Sequence, residues 1–297
     1  MSSPVETEVV FPISLAEEVF ELLNERKANC VRYCDLDYES CVLGSRYRYL
    51  DEFVRSMEGG FSLNRILIGL LRLILIRKGK DIKFLEPVLH LLSRNRKSPT
   101  VILQHDADVM PERTLLMMEK EKEYGLVSSN YFFRKPSDFV PYKLDLEKMK
   151  QFENFGFEIG YHQNAYERSE FDFELALRLM EEDVKFYSKH FDLRSFVPHG
   201  GKPGPRGLDN DFFPHIGSLS KLLWAYNGKC ILKHYTWSDG GIKKRAPSDP
   251  RDFVKRLLPG TRAIMLLHPQ YYGNEIRHDW ENLPISKQSW WRNLWGL

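Results

Sequence analysis

The stretch VILQHDAD, residues 101–108, carries residue types suited to metal or acid–base chemistry. Val101, Ile102 and Leu103 read as a short buried parallel strand. They lead into His105, Asp106 and Asp108, and Pro111 follows where the first turn of a helix would take it. Residues i and i+2 of a strand point the same way, so Asp106 and Asp108 can converge on one point, which suits a divalent cation. Four later stretches are built alike: FEIGY runs into His162, SFVP into His199 with Gly200 and Gly201 behind it, YTWS into Asp239 with Gly240 and Gly241, and IMLL into His268 with Pro269. Each is an apolar stretch ending in an ionisable residue. In α/β folds the C-terminal strand edge is where ligands and catalytic groups gather, and in a barrel those ends share one rim.

The elements that must position these residues alternate from Pro99 onward. The pattern predicts strands over 101–103, 126–133, 157–162, 194–197, 230–235 and 262–267, and helices over 111–124, 145–155, 169–190 and 250–258. Gly125 and Gly156 stop two of the helices. Ser169 with Asp172 resembles a capping box, and Phe173, Leu177, Met180, Val184 and Tyr187 mark one buried helix face. Repeated βα units imply a parallel sheet or barrel. Residues 1–98 read as a mixed, mostly helical region, with helices over 15–27, 64–76 and 81–92 and a strand over 31–36. No linker of Pro, Gly and Ser precedes Pro99, so this region is expected to pack on a barrel spanning 99–297.

Composition narrows the class. The chain has 297 residues, 42% hydrophobic and 28% charged, with a net charge of +2, which is an ordinary globular make-up without the basic excess of a nucleic-acid binder. The N-terminus lacks the pattern of a signal peptide. The apolar run 66–76 contains Arg72 and is too short to span a bilayer, so the expectation is a cytoplasmic protein with no transmembrane segment and at most peripheral membrane contact. Cys30, Cys34 and Cys41 have no paired CxxC spacing, which argues against a zinc site there.

The ordered series HDAD, GFEIGYH, SFVPHGG, SDGG and LLHPQYY resembles the motifs of the polysaccharide deacetylase family, carbohydrate esterase family 4, in a divergent, cytoplasmic-looking branch. The resemblance covers roughly residues 99–273. It implies a distorted (β/α) barrel of about seven parallel strands, a divalent metal and hydrolysis of an N- or O-acetyl group on a sugar. Zinc is the first choice of metal, with Mn²⁺, Co²⁺ or Ni²⁺ as alternatives. The implied substrate is an acetylated sugar, a nucleotide-sugar or a lipid-linked glycan, with no nucleic-acid partner. Carried over by motif, Asp106 resembles the catalytic base, Asp108 and His162 metal ligands, His268 the general acid, and Asp239 the acid that orients a catalytic partner. Gly200 lies in the loop whose backbone amide holds the acetyl oxygen.

Three positions depart from the family pattern. Ala107 separates aspartates that are usually adjacent, which leaves open which is base and which is ligand. The second metal histidine is replaced by Tyr166, placed here on the substrate side, so His199 is the candidate for the missing ligand and Asn164 or Glu167 the alternatives. Val197 stands where an arginine is expected. Read without the resemblance, Asp106 and Asp108 could cap the helix that starts at Pro111. They could instead form the DxD of a Mn²⁺-dependent glycosyltransferase, or belong to a degenerate fold that binds glycan or protein without catalysis. Trp290, Trp291 and Trp295 could stack on sugar or pack on the barrel, and Lys243, Lys244 and Arg245 could contact a phosphate.

Overall fold

Side chains on a strand alternate between two faces, and the central sheet of this chain uses both. The structure, a computed structural model, describes residues 11–35, 98–137, 142–200, 209–210, 217–225, 235–240, 248–257 and 262–274. In chain order these form β1 (Phe11–Pro12), α1 (Ile13–Glu25), β2 (Asn29–Cys30), a 3-10 turn (Tyr33–Asp35), β3 (Thr100–Ala107), α2 (Pro111–Glu123), β4 (Ser129–Phe132), α3 (Leu146–Phe155) and β5 (Glu158–Gln163). There follow α4 (Ala165–Arg168), α5 (Phe173–His190), β6 (Ser195–Pro198), a 3-10 turn (Gly217–Lys221), β7 (Leu223–Trp224), β8 (Tyr235–Ser238), α6 (Pro250–Lys255), β9 (Arg262–Leu267), a 3-10 turn (Pro269–Tyr271) and β10 (Tyr272–Gly273). The expected helices over 64–76 and 81–92, Cys41, Gly201, the run Lys243 to Arg245 and the tail tryptophans lie outside the described residues.

The main sheet has the order β7-β6-β5-β4-β3-β9-β8, all parallel, and curls into a half-barrel with helices alternating between strands. This is the α/β, barrel-like architecture expected from the alternation. β2 also joins β3, pairing Asn29 and Cys30 with Thr100 and Val101, while β4 takes the same side of β3 from Gln104 to Ala107. Outward residues make two apolar layers. Val101, Leu103, Ala263, Met265 and Leu267 pack against Leu15, Val19, Phe20 and Leu23 of α1. Phe132, Ile159, Tyr161 and Phe196 pack against Met118 of α2, Phe152 of α3 and Met180, Val184 and Tyr187 of α5. Each such buried side chain contributes on the order of 1.5–3 kcal/mol relative to exposure.

The inward face mixes apolar and polar groups. Tyr33, Ile102, Tyr131, Val197 and Ile264 cluster there. Beside them the Glu158 carboxylate accepts from Ser195 Oγ at 2.6 Å, Ser129 Oγ at 2.5 Å and the Cys34 N–H at 3.2 Å, and the Tyr131 and Ser195 hydroxyls lie 2.8 Å apart. These bonds offset the cost of burying polar groups. Gly160 on β5 makes room for the Tyr131 ring, since a Cβ there would lie 2.3 Å from it.

Element boundaries differ from expectation where neighbours intervene. Of the strand expected over 31–36, the described residues 31–35 do not continue as one: β4 occupies the flank of β3 beyond Val101, so the chain leaves the sheet and turns, with the Arg32 N–H bonded to Asp35 Oδ2 at 2.9 Å. The long helix starts at Phe173, not Ser169. Ser169 closes α4 by donating to the Tyr166 carbonyl, Glu170 and Phe171 take positive φ, and Asp172 caps α5 through the Leu175 N–H at 2.7 Å. Cys30 and Cys34 are free thiols, both pushed up to about 12 by burial first and by nearby acids second. No helix among the described residues is long and apolar enough to cross a membrane.

One ionic cluster locks α4 and α5 to the strand ends. The fully buried Asp183 of α5 accepts from Tyr161 Oη at 2.9 Å and Arg168 Nη1 at 2.8 Å, with Arg134 Nη1 at 3.3 Å. Asp183→Ala, which strands Arg168 without its partner, is expected to lower unfolding stability in urea by about 3 kcal/mol. Gly160→Ala, which drives a methyl into the Tyr131 ring, should cost about 1–3 kcal/mol in the same measurement.

Candidate metal and acid–base site

The two-residue period of β3 sorts the HDAD residues. His105 faces outward, with Nε2 3.0 Å from Glu121 Oε1 of α2, both side chains fully buried, and Ser128 Oγ donates to the other Glu121 oxygen at 2.6 Å. It is a core contact beneath a helix. Gln104 and Asp106 face inward, and Gln104 Nε2 donates to Asp106 Oδ1 at 2.8 Å. Asp108 lies just beyond the strand, partly exposed at the mouth of the half-barrel. Neither aspartate caps α2. Its N-cap is Met110, at φ 53°, and no side chain caps it.

Three imidazoles turn Nε2 toward the Asp108 carboxylate. His162 stands 3.0 Å and His199 3.9 Å from Oδ1, and His268 3.6 Å from Oδ2. Each comes from the end of a strand, β5, β6 and β9 respectively. Each is also held from behind at Nδ1: His162 by the Val197 carbonyl at 3.0 Å, His199 by Glu167 Oε2 at 2.8 Å and His268 by Asp239 Oδ1 at 2.6 Å. A carbonyl or a carboxylate can only accept, so Nδ1 carries the proton in all three rings. A neutral ring then presents its Nε2 lone pair to an anion. Three lone pairs around one carboxylate are repulsive unless positive charge sits between them.

The electrostatics run the same way. Burial alone would raise the Asp108 carboxyl, but the hydrogen bond with His162 and the charges of His268 and His199 hold it well below the usual carboxylate range. Burial disfavours the charged form of His199, yet its bond to Glu167 and the Asp108 charge raise it. For His268, burial is likewise outweighed by the Asp239 carboxylate and by Asp108 and Asp106, which raise it to about 10. Asp239, fully buried, uses both oxygens on His268, the second accepting its backbone N–H at 2.8 Å.

Tetrahedral zinc with ligands at about 2.0–2.1 Å sets neighbouring ligand atoms roughly 3.3 Å apart. The separations of His162 and His199 from Asp108 Oδ1, 3.0 and 3.9 Å, lie on either side of that value, and among the described residues no three His, Cys, Asp or Glu side chains are grouped closely enough to hold a metal ion as they stand. The donor set and its anchoring fit a divalent cation in ring orientation, because each ring is held at Nδ1 and turns Nε2 toward Asp108. Asp108, His162 and His199 are the residues that could hold it.

Other expected site residues fall elsewhere. Tyr166 is buried on α4, a turn that faces α5, and its ring packs against Phe171 and Ala176. Asn164 ties a loop, donating to the Lys135 carbonyl at 2.9 Å and Ser137 Oγ at 3.1 Å. Glu167 backs His199, and Asn210 joins the two by accepting the Glu167 N–H at 3.2 Å and donating to the His199 carbonyl at 3.0 Å. Gly200 follows His199, exposed and with open space around it.

Several contributors were not singled out by sequence. The Phe133 ring lies flat on His162, 4.6 Å between centroids, and edge-on to His199. Tyr142 fixes that corner, donating to the Ala107 carbonyl at 2.7 Å and accepting the Phe133 N–H at 3.1 Å. Gln270 Nε2 approaches Asp108 Oδ2 at 3.4 Å. Phe133 was within reach of sequence patterns because it follows the end of β4, and so was Gln104, which precedes Asp106 by one strand period. No protein-family model, no curated protein and no solved structure matches this chain.

Proposed function

We propose that this protein is a metal-dependent hydrolase that removes an acetyl or related acyl group, N- or O-linked, from a sugar or sugar conjugate. The observation that carries the reading is the set of three imidazoles anchored at Nδ1 and aimed at Asp108. A divalent cation, zinc by preference, held by Asp108, His162 and His199, would supply a Lewis acid for the acyl carbonyl and lower the pKa of a water.

The remaining groups divide the proton work. Asp106 has one carboxylate oxygen tied to Gln104, and the other, with no hydrogen bond among the described residues, would take a proton from the attacking water. His268 carries a proton at neutral pH and directs Nε2 into the site, so it can donate to the departing amine or alkoxide, with Asp239 fixing its tautomer. The loop at Gly200 is the candidate source of a backbone N–H for the tetrahedral oxyanion. An acetylated sugar, free or linked to a nucleotide or lipid, is the proposed substrate class.

Metal analysis of the purified protein should find about one divalent ion per chain, strongly reduced in His162→Ala and in His199→Ala. Unchanged content in both variants would show the ligand set to be wrong. Acetate release from acetylated sugars should require the metal and fall by about 10²–10⁴ in Asp106→Asn. Full activity in that variant removes Asp106 as base, and metal binding without acetate release from any sugar conjugate would leave a binding protein in place of an enzyme.

A further inference from the structure

The Asp106 carboxylate is not oriented by its own strand alone. Gln104 Nε2 donates to Asp106 Oδ1 at 2.8 Å, and Gln104 Oε1 accepts from Tyr33 Oη at 2.8 Å. Tyr33 and Gln104 are fully buried and Asp106 nearly so. Tyr33 reaches this position from the turn after β2, 71 residues before Gln104. Its backbone N–H donates to Ser129 Oγ at 2.9 Å, Ser129 donates to Glu158, and its ring lies 6.2 Å from that of Tyr131. The phenol is thus fixed at its backbone and along its ring inside the half-barrel.

The direction of the hydrogen bonds matters. An amide can present either its nitrogen or its oxygen to a neighbour. Turned over, Gln104 would set its oxygen against an ionised carboxylate. The Tyr33 hydroxyl, donating to Oε1, favours the orientation in which the nitrogen faces Asp106. One oxygen of Asp106 is then capped, and among the described residues no hydrogen bond is made to the other.

We propose that Tyr33 is a positioning residue for Asp106, acting through the Gln104 side-chain amide, so that the segment containing residues 11–35 sets the geometry of the base from inside the sheet. The catalytic consequence rests on reading Asp106 as the base. The positioning itself does not, and the test separates the two.

Wild type, Tyr33→Phe, Gln104→Met and the double variant are prepared metal-free, and urea unfolding checks that each folds. In ¹⁵N-correlated NMR spectra the Gln104 amide is the NH₂ pair that Gln104→Met removes. Tyr33→Phe should move that pair and speed its solvent exchange about tenfold. With zinc restored, Tyr33→Phe should lower kcat for deacylation about tenfold at unchanged KM and metal content, and add nothing in the Gln104→Met background. An NH₂ pair that keeps its position and exchange rate in Tyr33→Phe overturns the proposal, as does a rate loss that adds in full to that of Gln104→Met. If wild type binds zinc but releases no acetate, the hydrolase reading falls, and the NMR comparison alone decides whether Tyr33 holds the amide against Asp106. Should Tyr33→Phe fail to fold, Gln104→Asn, which shortens the amide's reach, takes its place: activity and metal content both equal to wild type would overturn the proposal, and reduced kcat with full metal content would support it.

Discussion

Asp108 facing three imidazoles is the constraint on which the rest of the site depends. Counting the groups behind them, the mouth of the half-barrel gathers the carboxylates of Asp106, Asp108, Glu167 and Asp239 around three histidines. Carboxylates brought together in a partly buried place repel one another and lose hydration. Positive charge must enter, either as protons on imidazole or as a cation. The directions of the shifts report that demand: Asp108 is held low, and His199 and His268 are held high. In the proposed metal site a divalent ion would meet that demand at Asp108, His162 and His199, displacing the proton of His199, while His268, bonded to Asp239 at Nδ1, would keep its own.

The sheet delivers this arrangement through parallel register and period two. Val197 pairs with His162 across β6 and β5, and the same carbonyl position backs the His162 ring. β3 pairs with β9 from Thr100 to His105, which carries Asp106, Asp108 and His268 to the same edge. Outward residues of these strands are mostly apolar and packed under helices, with His105 paired to Glu121 as an exception, whereas the inward face carries Gln104, Ser129, Glu158 and Ser195. A polar interior is tolerated because its members bond to one another, and such bonds are stronger where water is excluded. The same network makes the interior rigid, as the Gly160 and Tyr131 contact illustrates.

What was legible in the sequence follows from this division. β9 was read to the residue because Ala263 to Leu267 is an unbroken apolar run that ends at His268, and α3 was read because Asp145 and Gly156 cap its two ends. Asp106, Asp108, His162, His199, Asp239 and His268 were legible because each ends an apolar strand. The supporting groups were not, because they act from behind: Glu167 sits on a one-turn helix, Asn210 on a loop, and Tyr33 on a turn whose strand partner is about seventy residues away. The two-residue strand β2 has too few residues to show a period, and its end is set by β4, a neighbour that local sequence does not announce. Motif spacing placed Tyr166 on the substrate side, and its packing against Phe171 depends on the short helix α4, which local sequence did not announce.

The donor set also weighs on the choice between a hydrolase and a DxD transferase. A DxD against a nucleotide diphosphate uses carboxylate oxygens on a hard cation, with water and phosphate completing the shell. Here Asp106 has an oxygen bonded to Gln104, and Asp108 is surrounded by imidazole nitrogens. Imidazole suits zinc and its neighbours, whereas oxygen donors suit Mg²⁺ or Mn²⁺. The transferase reading also gives no task to the Asp239–His268 pair, in which a buried carboxylate accepts from the His268 ring at one oxygen and from the His268 backbone N–H at the other, and so holds Nε2 toward the site. The proposed hydrolase does give that pair a task, since cleavage of an amide or ester on a sugar calls for an acid that protonates the departing group.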